Sequence, residues 1–217
     1  MTGTLPARVA PSEALVRTGV VAILRAGSPD HLAPVARTLH DAGLLCVELT
    51  MTTPGALDTL SALRRDLGPG ADLGMGSVRG ARQARRALDA GASFLVSPVF
   101  DADVVDAANA AGVPVYPAGL TPNELVAAWD AGATAVKVFP ASTVGPAHLK
   151  AVREPVPGLR LMATGGIGVE DVGTWVRAGA LAVGLGGSLT GEALLGGDLG
   201  ALTRRARRAL DQAAEAR

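Results

Sequence analysis

A parallel (β/α)8 barrel is the fold class this sequence predicts, and three observations carry the prediction. Eight apolar runs are each opened by a glycine: Gly19, Gly43, Gly70, Gly91, Gly112, Gly132, Gly158 and Gly179, spaced 20 to 27 residues apart. Each interval fits one strand, one loop and a helix of about three turns. Five of these glycines follow an alanine (Ala42-Gly43, Ala90-Gly91, Ala111-Gly112, Ala131-Gly132, Ala178-Gly179). Such pairs read as helix ends, because glycine tolerates the left-handed backbone that closes a helix. The chain has 217 residues, 48% of them hydrophobic, which suits one large barrel. An open doubly wound sheet is the structural alternative.

The elements follow in order. A short helix, Ser12 to Thr18, precedes the first strand. The strands begin at Val20, Leu44, Ala71, Ala92, Val113, Ala133, Leu159 and Ala180. Ser28-Pro29-Asp30, Thr53-Pro54 and Thr121-Pro122 read as helix starts, each with a capping hydroxyl before a first-turn proline. Asp198 to Ala216 reads as a closing helix. The expected organisation is a single domain over residues 1–217, with the barrel at about 19–197 and the last helix at about 198–216.

Composition excludes several function classes. Formal net charge is +0, with 20 basic and 20 acidic residues, so no nucleic-acid or membrane partner is expected. Arg204-Arg205-Ala206-Arg207-Arg208 is the one basic run, and it reads as a solvated or interface face of the last helix. Cys46 is the only cysteine, which excludes an intramolecular disulfide. His31, His40 and His148 are scattered over helical segments without metal-ligand spacing, so no metal is expected. Met1 to Pro11 lacks an apolar core of signal-peptide length, and no window of roughly eighteen residues is uninterruptedly apolar. The expectation is a soluble cytoplasmic protein. Neither a GxGxxG after the first strand nor a phosphate loop of the nucleotide-binding kind is present, so no nucleotide cofactor is expected.

The chain has two lysines against eighteen arginines, and Lys137 lies in the β-branched run Ala135-Val136-Lys137-Val138-Phe139-Pro140. A lysine in a core strand loses hydration, its pKa falls, and a neutral amine becomes available to attack a carbonyl and form a Schiff base. Strand side chains alternate faces. Lys137 shares a face with Ala135 and Phe139, while Val136 and Val138 suit packing against outer helices. In the second run, Glu48 shares a face with Cys46 and Thr50, opposite Val47 and Leu49. Both ionisable side chains therefore point inward near the C-terminal ends of their strands, where such barrels do their chemistry. A buried carboxylic acid with a raised pKa is suited to shuttling protons in Schiff-base chemistry. The competing reading is a purely structural buried ion pair.

After the seventh and eighth strands stand Thr164-Gly165-Gly166 and Gly186-Gly187-Ser188. Glycines let backbone N–H groups approach an anion, and phosphate sites recur at this corner of such barrels. Either loop alone is compatible with ordinary turn chemistry; the pair points to phosphate.

Several motifs together resemble one family. Val47-Glu48-Leu49-Thr50, Gly74-Met75-Gly76-Ser77-Val78, Ser97-Pro98, Thr121-Pro122-Asn123-Glu124, Val136-Lys137-Val138-Phe139-Pro140 and Ala163-Thr164-Gly165-Gly166-Ile167 resemble the 2-keto-3-deoxy-6-phosphogluconate and 4-hydroxy-2-oxoglutarate aldolases. The matches run in order from about Val20 to Leu189. The resemblance implies a cofactor-free, metal-independent class I aldolase on a trimeric barrel, acting on a keto acid or sugar-acid phosphate. It implies Lys137 as the Schiff-base lysine and Glu48 as the general acid and base. Arg25, Thr52, Ser77, Pro98, Phe139 and Thr164 become substrate-binding candidates, and Gly165, Gly166, Gly187 and Ser188 phosphate-binding ones.

The chain also departs from that pattern. Met75, Ser77, Ala118 and Ala163 replace the residues common in the family. Thr52 stands where some members carry a carboxylate-binding arginine. Leu24-Arg25 matches the pattern of other members, which makes Arg25 the candidate for the carboxylate. A surface salt bridge from Arg25 to Asp30 is the plainer alternative. The expected reaction releases pyruvate and glyceraldehyde 3-phosphate from 2-keto-3-deoxy-6-phosphogluconate. The galactonate epimer or 4-hydroxy-2-oxoglutarate is the nearest alternative substrate. A phosphate-binding isomerase or transferase without an imine, and a non-catalytic binder, are more distant rivals.

Overall fold

The structure is a computed structural model and describes residues 8–217. Its elements alternate as the glycine ladder predicts. α1 (Glu13–Thr18) leads into β1 (Val20–Leu24), α2 (Leu32–Asp41), β2 (Cys46–Thr50), α3 (Ala56–Leu67), β3 (Asp72–Gly76) and α4 (Ala81–Asp89). Then come β4 (Leu95–Val96), α5 (Ala102–Ala110), β5 (Val115–Tyr116), β6 (Ala118–Gly119), α6 (Pro122–Asp130), β7 (Val136–Val138) and α7 (Pro146–Arg153). β8 (Leu161–Thr164), α8 (Val172–Arg177), β9 (Ala180–Leu185), the short α9 (Gly187–Thr190) and α10 (Leu199–Glu215) complete the chain.

All strand pairs are parallel, in the order β5-β4-β3-β2-β1-β9-β8-β7-β6. The two ends of that order are consecutive in sequence. β5 lies in the fifth apolar run and β6 resumes the same strand just beyond Pro117, so the sheet is a nearly closed barrel of eight strand positions. Proline has no N–H to give to a ladder, which accounts for the interruption. The Pro117 carbonyl still accepts from Lys137 N–H at 2.8 Å.

The five Ala-Gly pairs end helices as expected: Gly43, Gly91, Gly112, Gly132 and Gly179 all have φ between 68° and 98°. Thr121 caps α6 with a full capping box to Glu124. Two helix starts differ from expectation. The Thr53 hydroxyl accepts from Ala26 N–H at 3.0 Å instead of capping its own helix, and α3 begins at Ala56, after Gly55. Ser28 accepts from Asp30 N–H at 3.3 Å in a turn, and α2 starts only at Leu32.

Two apolar layers result. Val47, Leu49, Val136 and Val138 pack outward with the helices. Inside the barrel, Val21, Cys46, Phe94, Val96, Tyr116, Ala135, Met162 and Ala182 fill the lower half, with Leu15 of α1 as a plug from below. Phe94 and Tyr116 meet edge-on, ring centroids 5.8 Å apart. The basic run of α10 ties that helix down: Arg205 donates to the Leu189 and Thr190 carbonyls, and Arg208 grips Glu170 with contacts of 2.7 and 2.9 Å. Among the described residues, no helix is long and apolar enough to cross a membrane.

Candidate active site

Above the filled lower layer the interior changes character. One residue pair further along each strand from Val21, Cys46, Ala135, Met162 and Ala182 stand Ile23, Glu48, Lys137, Thr164 and Gly184. All five line a cavity of about 710 Å³ at the C-terminal ends of the strands, a size suited to a small ligand. The inward parity expected for Glu48 and Lys137 is the parity observed.

Glu48 is 1% exposed, and its Oε2 has no hydrogen-bond partner. Burial pushes its carboxyl pKa up, while the Lys137 and Arg25 charges pull it back. Lys137 is 6% exposed. Burial pushes its ammonium pKa down; the Glu48 charge raises it and the Arg25 charge lowers it further. Its Nζ lies 4.8 Å from the centroid of the Phe139 ring. The described ion pairs all lie elsewhere, at Arg37–Asp66, His40–Asp41, Arg204–Asp198 and Arg208–Glu170. The two buried groups are therefore neighbours in a cavity with no ion pair joining them, and each is biased toward its neutral form.

Space for the Glu48 carboxylate comes from the next strand. A Cβ placed on Gly76 would overlap Glu48 Oε1. Likewise Gly184 leaves room for Thr164, whose buried Oγ1 also lacks a partner. Unsatisfied buried oxygens are costly, and here two of them face one cavity.

Arg25 continues the inward face of β1 and donates to Ser77 Oγ at 3.2 Å; it forms no ion pair with Asp30. Ser77 is 9% exposed and holds φ at 59°, the left-handed region that non-glycine residues rarely adopt. Phe139, Gly165, Gly166, Gly187 and Ser188 line the same cavity. The Gly165-Gly166 loop and the turn into α9 are side by side because Thr164 pairs with Gly184. Ser188 Oγ donates to the Ile167 carbonyl at 2.7 Å and ties the two loops together. Leu189 and Thr190 N–H groups bond back to the Gly186 carbonyl, which leaves the N–H groups of Gly187 and Ser188 as the orphan donors of that turn.

Three candidates stand apart from the cavity lining. Thr52 is exposed and its hydroxyl donates to Thr50 Oγ1 at 3.2 Å. Pro98 is half-buried two residues beyond β4. Ser77 reaches the cavity only through Arg25. Conversely Ile23, Gly184, Thr190, Leu194 and Leu195 line the cavity without having been singled out. Ile23 was legible from its parity with Arg25, and Gly184 from being a glycine inside a strand. The 76% exposed Leu195 had no such signal. Among the described residues, no three His, Cys, Asp or Glu side chains converge as metal ligands would.

Residues 12–204 match the family model described as "KDPG and KHG aldolase". The chain is 33% identical over 195 residues to the 2-dehydro-3-deoxy-phosphogluconate aldolase of Treponema pallidum, covering 88% of this chain and 91% of that one. It is 31% identical to the probable 2-dehydro-3-deoxy-6-phosphogalactonate aldolase of Rhizobium meliloti, over 83% of this chain and 85% of that one. The solved structure of the 2-keto-3-deoxy-6-phosphogluconate aldolase of Zymomonas mobilis matches with a TM-score of 0.80 at 28% identity, covering 91% and 95% of the two chains.

Proposed function

The chain belongs to the KDPG and KHG aldolase family, and on that footing we propose that it is a metal-independent class I aldolase using Lys137 as its Schiff-base nucleophile. The proposed reaction cleaves 2-keto-3-deoxy-6-phosphogluconate to pyruvate and glyceraldehyde 3-phosphate. The observation that carries this reading is the pair of buried, inward Lys137 and Glu48 in one cavity, without an ion pair and each shifted toward neutrality.

The chemistry follows from those protonation states. The neutral Nζ of Lys137 attacks the C2 carbonyl, and proton transfer gives a carbinolamine. Glu48, as the acid, protonates the departing hydroxyl; water leaves and an iminium remains. Glu48, now a carboxylate, takes the proton of the C4 hydroxyl. The C3–C4 bond breaks, its electron pair flows into the iminium to give an enamine, and the aldehyde is released. Glu48 returns its proton to C3. Water then adds at C2, giving up a proton to Glu48, and the resulting carbinolamine expels the Lys137 amine as pyruvate departs. Arg25 grips the substrate carboxylate through its two parallel N–H groups, backed by Ser77. The phosphate rests on backbone N–H groups of the Gly165-Gly166 and Gly187-Ser188 loops. The comparable identity to a phosphogalactonate aldolase keeps the galactonate epimer as the second reading. The family resemblance supports a homotrimer in the cytoplasm; a monomer by light scattering at micromolar concentration contradicts the trimer.

Borohydride reduction in the presence of pyruvate tests the mechanism, because only an imine leaves a covalent adduct. The adduct is expected on Lys137, and one found only on Lys150 or the N-terminus overturns it. A panel of phosphorylated and unphosphorylated 2-keto-3-deoxy acids, read by pyruvate release, tests the substrate.

A further inference from the structure

We propose that Thr50 and Thr53 are positioning residues that aim Arg25 at the substrate carboxylate. This rests on the reading of Arg25 given above. Arg25 is exposed in the loop after β1, and the one side-chain hydrogen bond its guanidinium makes among the described residues is to Ser77 Oγ. A single bond of 3.2 Å leaves a long side chain poorly fixed. The backbone on both sides of it is held instead. The Leu24 carbonyl accepts from Thr50 Oγ1 at 3.2 Å, and Ala26 N–H donates to Thr53 Oγ1 at 3.0 Å.

The two hydroxyls are themselves 3.0 Å apart, and a proton count fixes the circuit. The single Thr50 O–H goes to Leu24. The Thr53 O–H must then point at Thr50, which leaves a Thr53 lone pair for Ala26 N–H. The Thr52 hydroxyl donates to the second Thr50 lone pair. Thr50 thus uses its one proton and two lone pairs. Thr50 and Thr53 are 0% and 3% exposed, so water does not compete for these bonds. The turn in which Thr53 N–H bonds the Thr50 carbonyl at 2.9 Å brings both hydroxyls to the same side. Thr50 lies two residues beyond Glu48 on β2. The clamp therefore ties the Arg25 loop to the strand that carries the proton shuttle, and holds guanidinium and carboxylate in one register. Thr53 in particular gives up the helix cap that its Thr-Pro context favours in order to reach across to Ala26.

The test is a mutant cycle with retro-aldol kinetics and thermal melts. Thr53→Val keeps the shape and removes the hydroxyl; it is expected to raise KM about tenfold while kcat stays within about threefold. Thr53→Ser is expected to bring KM back to within about twofold of the parent. In an Arg25→Ala background, Thr53→Val is expected to add nothing further, because the group it positions is gone. Thr50→Val carries the same expectation should Thr53→Val fail to fold. An unchanged KM in the Val variants overturns the clamp, as does a KM loss that persists in full without Arg25. If Arg25→Ala raises KM and the Val variants do not, only the clamp falls. If Arg25→Ala itself leaves KM unchanged, the carboxylate reading falls with it.

Discussion

The Glu48 carboxylate occupies the volume that a side chain on Gly76 would claim. The two residues sit on neighbouring strands: Thr50, two beyond Glu48, pairs with Gly76. A glycine here weakens β3, and in return the Glu48 carboxyl gains its place in the cavity. Gly76→Ala is therefore expected to push the carboxylate out of line while leaving Lys137 untouched. The expected loss in kcat is about tenfold to a hundredfold, the scale of an ångström-sized misplacement. Glu48→Gln, which keeps the shape and removes the proton exchange, is expected to lose about two to four orders of magnitude. Pyruvate–borohydride labelling of Lys137 should survive in Gly76→Ala. A Gly76→Ala enzyme with parental kcat would show that the position of the carboxylate does not matter.

Lys137→Arg is expected to abolish turnover, because a guanidinium stays protonated and is a very poor nucleophile. Lys150→Arg, at an exposed position of α7, is expected to have no effect on turnover. Steady-state pyruvate release from the two variants separates a nucleophilic lysine from an electrostatic clamp, since an arginine would retain much of a clamp's function.

Much of this arrangement was legible in the sequence because it rests on period-two alternation. Val47 and Leu49 on one side, and Val136 and Val138 on the other, are apolar enough to identify the outer face, so Glu48 and Lys137 had to point inward. The glycine ladder fixed the order of elements because a left-handed helix end demands glycine whatever lies nearby. Long-range competition for polar groups was less legible. Thr53-Pro54 looks like a helix cap, but the Thr53 hydroxyl is taken by Ala26, 27 residues earlier. Likewise the fifth run ends at Tyr116 in the sequence, while the strand resumes beyond Pro117 at Ala118–Gly119. Leu194 and Leu195 join the cavity through a single 3-10 turn, too short to show any hydrophobic period.

Arg25 affects the electrostatics of the site as well as its shape. Its charge lowers the pKa of both Lys137 and Glu48. The proposed imine formation needs the neutral amine, so kcat/KM is expected to rise with pH until Lys137 has lost its proton. Removing a positive neighbour makes protonation of Lys137 easier, so its pKa rises. Arg25→Gln is therefore expected to move the ascending limb of the kcat/KM profile to higher pH, besides raising KM. Arg25→Lys keeps the charge and should leave the limb in place, while still weakening the proposed bidentate grip on the carboxylate. A limb that does not move in Arg25→Gln would mean that solvent screens the charge of this exposed side chain from Lys137.

The phosphate site is best tested at Gly187. Gly166 is the more obvious target, but its φ of 73° and the Ser142 side chain packed against it mean that any substitution strains the loop itself. At Gly187 nothing lies within 4 Å of an added Cβ, and the backbone is not left-handed. Gly187→Asp should therefore fold normally while placing a negative charge where the proposed phosphate binds. Like charges at close range repel, and the carboxylate would also compete for the N–H groups of the turn. KM for a phosphorylated keto acid is expected to rise by about two orders of magnitude, while the rate of pyruvate–borohydride labelling stays near the parent value. Gly187→Ala, which adds bulk without charge, should change KM little. Equal effects of Gly187→Asp on phosphorylated and unphosphorylated substrates would move the phosphate away from the loops after β8 and β9.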